Sequence, residues 1–131
     1  MRVEQEKVRA FMEHIADTVN ETAVIVDADV AHRRYDLIAE ELHEYVAAND
    51  AGDLVGVADA LGDVLYTVLG AFNLHGMDAR AIFEEIHRSN MTKDPAPTNT
   101  FKKAVKGERF TKPDLAAVLL VAKLDLDVDI R

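Results

Sequence analysis

The chain has no cysteine, which excludes disulfides, thiolate zinc sites and cysteine nucleophiles. It is short of positive charge. Fifteen Lys and Arg stand against 24 Asp and Glu, a formal charge of -9, whereas a protein that grips nucleic-acid backbones needs an excess of cations. No polymeric nucleic acid is therefore expected as a partner. There is no glycine-rich phosphate loop, no internal repeat and no low-complexity tract. The opening "MRVEQEKVRAFMEHIADTV" carries charge throughout, so neither a signal peptide nor a membrane anchor is expected there. One apolar run, Leu54 to Leu74, is long enough to span a bilayer, but Asp59 and Asp63 near its centre would each cost roughly 2.5 to 3.5 kcal/mol on insertion. The expectation is a cytoplasmic protein without a membrane partner. What remains is 131 residues, 49% hydrophobic, enough for one domain (1–131) with one core.

The pattern is helical almost throughout. Val8, Phe11, Met12, Ile15 and Val19 repeat at helical spacing and predict an N-terminal helix within 1–20. A long second helix is expected behind Asp27 or Asp29, ending at Asn49 to Gly52. Asp53 caps a third, which Gly76 ends, and Asp78 caps a fourth through "ARAIFEEIHRSN". The prolines of "TKDPAPTNT" mark a loop, and 91–112 is a basic loop segment. "TKPD" at Thr111 to Asp114 has capping-box spacing with Pro113 in the first turn, opening a fifth helix. In the tail, 124–131, apolar and acidic residues alternate at strand period, a candidate for pairing with a partner chain or for a solvated end. The fold expected is all-α, a bundle of about five helices completed by oligomerisation. At least a homodimer follows from the third helix, whose apolar surface interrupted by Gly56, Gly62 and Gly70 is more than one protomer can cover.

The third helix also poses the chemical question. Positions four apart lie about 40° apart around a helix, so Asp59 and Asp63 project from one side of an apolar segment. Two like charges there call for something positive between them. On the second helix, with Ile38 at zero, Glu41 falls at about 300°, inside the arc formed by Leu42, Tyr45 and Val46. Glu44 lies at the edge of that arc and Glu40 at about 200°. Facing acidic pairs, Glu41 with Glu44 and Asp59 with Asp63, make an oxygen-rich site suited to Mg²⁺, or to Mn²⁺. Glu40, beside this set but off its central face, is the candidate general base.

"LIAEELHEY", "DALGDVLY" and "HRSNMTK" together resemble the MazG-like all-α nucleotide pyrophosphohydrolases, which include phosphoribosyl-ATP pyrophosphatase-like and dimeric dUTPase-like enzymes. The likeness runs from about Arg34 to Asp114. It implies an E-E-x-x-E run at Glu40, Glu41 and Glu44 and a metal-binding aspartate at Asp63. It also implies Mg²⁺-dependent hydrolysis of a nucleoside triphosphate between its α and β phosphates, in dimers or tetramers. One position departs: the usual glutamate of E-x-x-D is Ala60, and the extra acid, Asp59, stands one residue earlier. Asp59 is the substitute, as a ligand or through water.

The positive charge that exists is concentrated. Arg88, Lys93, Lys102, Lys103, Lys106, Arg109 and Lys112 face only Asp94 and Glu108 between 88 and 112, a charge balance suited to a departing pyrophosphate. Lys93 matches the family's S-N-M-S-K-like run near the nucleotide. Asn90 continues the Ile82, Phe83 and Ile86 face and is expected to point inward, where it reads a base or satisfies the helix end. Lys106 and Tyr66 complete the candidate substrate-binding set. Two other classes compete. Paired E-x-x-H motifs ending in His43 and His87 suggest a ferritin-like di-iron bundle, but His43 lies at about 140° on the wheel, away from Glu41. A non-enzymatic dimerisation module leaves the inward carboxylates unexplained.

Overall fold

Apolar residues three and four apart become four helices, α1 (Arg2–His14), α2 (Ala28–Asp50), α3 (Leu54–Leu74) and α4 (Ala79–Asn90), with a fifth helical stretch at 115–121. The computed structural model describes residues 1–96 and 103–121. Lys102 and the alternating tail lie outside the described residues, and an isolated antiparallel bridge between Asp94 and Val105 is the one piece of β pairing among them. The chain divides into two compact units, 1–79 and 80–131.

In the first unit α3 is the shared partner of α1 and α2. Asp53 caps it as its sequence position predicts, its Oδ1 accepting from the Gly56 N–H at 3.0 Å. The core is Val8 and Met12 of α1 against Leu69 and Ala79, with Val19 and Phe72 packed around them. Beside it lies a buried polar clasp. Gln5 Nε2 donates to Asn73 Oδ1 at 3.0 Å and to the Met77 carbonyl at 2.8 Å, Asn73 Nδ2 returns a bond to the Gln5 carbonyl at 3.2 Å, and Gln5 Oε1 accepts from the Ala79 N–H at 3.0 Å. A single glutamine thus ties α1 to the end of α3 and the start of α4. Buried amides are costly when unpaired, so the pairing specifies one register.

The N-terminal helix ends at His14, short of the predicted stretch to Val19. Ala16 takes a left-handed φ of +56°, and the Thr18 N–H donates to Asp17 Oδ1 at 2.7 Å. The local carboxylate offers the backbone an alternative to another helical turn. Asp17 then accepts from Arg34 Nη2 of α2 at 3.0 Å.

Arg34 sets how α2 lies on α3. Its guanidinium, with the side chain only 13% exposed, passes over Gly70, where a Cβ would stand 2.7 Å from Nη1. Seven residues are nearly two whole turns, about 10.5 Å of rise. An antiparallel pairing with residue 34 near residue 70 brings residue 41 near residue 63, in keeping with the action of Asp63 on Glu41.

The second unit is held by a charged clamp. Arg88 donates to Glu85 through Nε at 3.0 Å and Nη2 at 2.8 Å, and to Thr111 Oγ1 through Nη1 at 2.7 Å. Glu85 Oε1 also accepts from the Asp114 N–H at 2.9 Å. The fifth helix is capped by Asp114, whose Oδ1 accepts from the Ala117 N–H at 3.0 Å. That corrects the expected cap at Thr111. The Thr111 carbonyl and N–H are instead engaged by Ser89 Oγ and Thr92 Oγ1, both at 2.9 Å, and Pro113 precedes the helix. The Arg88 bonds and the Asp114 N–H hold the Glu85 carboxyl down from 4.5 to about 2. A depressed carboxyl contributes stability that is present above pH 4.5 and lost as pH falls toward 2. Glu85→Gln should therefore melt below wild type at pH 7, and the two melting curves should converge as pH approaches 2.

Candidate active site

Glu41 is the centre of the acidic set. It is half-buried, and its Oε2 is fully enclosed without a hydrogen-bond partner among the described residues. Burial comes first among the causes that push its carboxyl above the usual range, followed by Glu44, with which it can share a proton, then Asp63 and Glu40. The enclosure agrees with the inward position expected for Glu41, but the apolar arc it was read from is not covered: Leu37, Leu42 and Val46 of α2 are exposed. Glu44, three residues on, and Glu40 are exposed, as are Asp63 and Asp59 on α3. The structure thus gathers Glu40, Glu41, Glu44 and Asp63 as neighbouring charges from two helices.

These carboxylates are not drawn together as chelators. Among the described residues no three His, Asp or Glu side chains converge as a formed metal centre. The donor set fits a hard divalent cation: oxygen ligands only, several negative charges, and one enclosed oxygen with no donor to it among the described residues.

One residue of the expected substrate-binding set is placed differently from its prediction. Asn90 is exposed, as are Phe83 and Ile86 of the face it was expected to continue. Its carbonyl accepts from the Lys93 N–H at 3.1 Å, closing the turn after α4. The buried residue is its neighbour Ser89, 2% exposed, whose hydroxyl reaches the Thr111 carbonyl. A small polar residue near a helix end carries no pattern that would have singled it out. Lys106 is exposed with its ammonium 5.1 Å from the centre of the Phe110 ring, a cation–π contact within the unit. Lys93 is half-buried. Tyr66 sits on α3 one turn after Asp63, its ring against Phe11 of α1, a neighbour the sequence analysis had placed only in the core pattern. His43 and His87, the ends of the competing E-x-x-H motifs, are both exposed.

No curated protein gives a match. Residues 8–90 match the family described as phosphoribosyl-ATP pyrophosphohydrolase, a span that takes in the α2 acids, Asp59, Asp63, Tyr66 and Asn90. The chain belongs to the phosphoribosyl-ATP pyrophosphohydrolase family, within the MazG-like nucleotide pyrophosphohydrolase superfamily.

Proposed function

We propose that this pyrophosphohydrolase cleaves a nucleoside triphosphate between its α and β phosphates in a Mg²⁺-dependent reaction, releasing a nucleoside monophosphate and pyrophosphate. The observation that carries the reading is the enclosed, unpartnered oxygen of Glu41 among three further carboxylates. Glu41, Glu44 and Asp63 would hold the cation, with Asp59 assisting from the adjacent turn. Bound there, Mg²⁺ supplies Lewis-acid charge to phosphate oxygens and lowers the pKa of water. Glu40, exposed and close enough to act on Glu41, is free to accept the proton of the attacking water. Asn90, Lys93 and Lys106 are assigned to the nucleotide and its departing pyrophosphate by sequence pattern and charge. Family membership favours this class over a di-iron protein or a bare dimerisation module.

The family description supports a second, narrower substrate reading, phosphoribosyl-ATP itself. A screen of deoxy, ribo and modified triphosphates together with phosphoribosyl-ATP, followed by pyrophosphate release, separates the two. Activity on phosphoribosyl-ATP alone supports the narrower reading. No pyrophosphate from any of them overturns both.

We further propose that the enzyme is a homodimer or homotetramer. α3 is by length and composition able to cross a membrane, yet it carries Asp59 and Asp63, and it leaves Leu54 80% and Leu65 50% exposed beside Val55 and Leu61. A surface of that kind on a soluble chain marks an interface. Leu37, Leu42 and Val46 of α2 are exposed as well. Sedimentation at micromolar concentration should show a dimer or larger. A stable monomer would contradict this.

A further inference from the structure

Phe11 and Tyr66 are unusual in a chain with five Phe, three Tyr and no Trp. Val8 and Met12 of α1 are buried in the core, whereas Phe11, on the same apolar repeat, is turned aside and left 46% exposed. It meets Tyr66, itself 39% exposed, edge to face, with ring centres 5.7 Å apart and an interplanar angle of 72°. This geometry favours the pair electrostatically and holds both rings in place. Tyr66 is three residues after Asp63 on α3, and side chains at that spacing are neighbours, with Cβ atoms about 5–6 Å apart. Tyr66, with Phe11 against it, therefore stands one helical turn from Asp63.

We propose that Phe11 and Tyr66 form the wall on which the base of the substrate stacks. The inference rests on the nucleotide reading of the acidic site and extends it by assigning the base end of the substrate. A nucleotide is a charged polyphosphate joined through one sugar to a flat aromatic base, and the chain offers the two matching surfaces side by side. Stacking accepts every base because each has a π face, so the pair would supply affinity for base-bearing nucleotides while selectivity among bases comes from other groups. Rings already held by each other lose little freedom when the base arrives. α1 thereby has a role in substrate recognition in addition to its role in the core.

The test uses the full chain with Mg²⁺ and 2-aminopurine nucleoside triphosphate, whose fluorescence is quenched when its base stacks. Wild type should quench it on binding. Phe11→Leu, which keeps apolar bulk over Val8 and Met12, and Tyr66→Leu should each weaken binding about tenfold and abolish most of the quenching, with unchanged sedimentation and circular dichroism. The base-free probe, ribose 5-triphosphate, should bind all three proteins alike. Quenching without release of pyrophosphate would leave the stacking wall standing and overturn the proposed reaction. Absence of quenching in wild type, equal losses for both probes, or dissociation of the assembly by either substitution would overturn the stacking wall, the last by showing the rings to be an interface between copies.

Discussion

Glu41→Gln is expected to raise the melting temperature of the metal-free protein by a few degrees while lowering turnover at least about a hundredfold. The two effects have one cause. In the fold, burial, Glu44, Asp63 and Glu40 all disfavour the charged form of Glu41. Its pKa is raised, so the folded protein binds the proton more readily than the unfolded chain, and stability increases as pH falls through that raised value. At neutral pH the ionised group opposes folding, and glutamine removes the charge while keeping the shape. Its amide can also donate to Glu44. The same substitution deletes one ligand of the proposed cation, so added Mg²⁺ should raise the melting temperature of wild type much more than that of the variant. Asp63→Asn should follow in the same direction with a smaller gain, since Asp63 acts on Glu41 less than Glu44 does. A lower melting temperature for metal-free Glu41→Gln would show that the charge is compensated by a partner and that the site is not built for a cation.

Gly76→Ala is expected to destabilise the protein by roughly 3 kcal/mol, enough to unfold a marginal domain. Gly76 has a φ of +66°, and a Cβ there would run into the backbone of Thr22. That backbone cannot move aside. The segment carrying it is bonded to the end of α3 on both sides: Asn20 Nδ2 donates to the Leu74 carbonyl at 2.7 Å, the Val24 N–H to the His75 carbonyl at 3.0 Å, and His75 Nδ1 pairs with the Val24 carbonyl at 2.9 Å. Gly70→Ala is the informative contrast. Its new Cβ would meet the end of the Arg34 side chain rather than backbone; moving that guanidinium disturbs its bond to Asp17, against which alanine gains about 1 kcal/mol of helix propensity over glycine, so the loss should be well below that of Gly76→Ala. Urea denaturation of the two variants measures the difference. Comparable losses would mean that the Thr22 segment yields as easily as a side chain.

The helices were legible because each carries its own signal. Asp53 before an apolar run and Gly76 after it bracket α3 without reference to the rest of the chain, and the same periodicity put Glu41 on the inner side of α2. Arg34 was not legible as the residue that registers the two helices, because its role depends on Gly70, 36 positions away. The Gln5–Asn73 clasp was hidden for the same reason: amides have no periodic signature, and their value appears only when the partner is in place. Asn90 was misread as inward because a helical wheel assumes that the apolar face is covered, whereas Phe83 and Ile86 are themselves exposed. The nearness of the α2 acids to Asp63 was legible, since helical spacing alone puts these carboxylates on facing sides of two helices. Asp63, which the sequence pattern set ahead of Asp59, is among the charges that act on Glu41.

Which phosphorus is attacked tests the central claim most directly. Activated water can be aimed at the α or the γ phosphorus by the same chemistry. The outcome depends on where the leaving group's charge is met, and the chain has a cation-rich stretch from Arg88 to Lys112 but no glycine-rich loop to cradle a retained diphosphate. Hydrolysis of a nucleoside triphosphate in ¹⁸O-labelled water with Mg²⁺ should place the label in the nucleoside monophosphate and leave no nucleoside diphosphate. Recovery of nucleoside diphosphate with labelled inorganic phosphate would contradict the account.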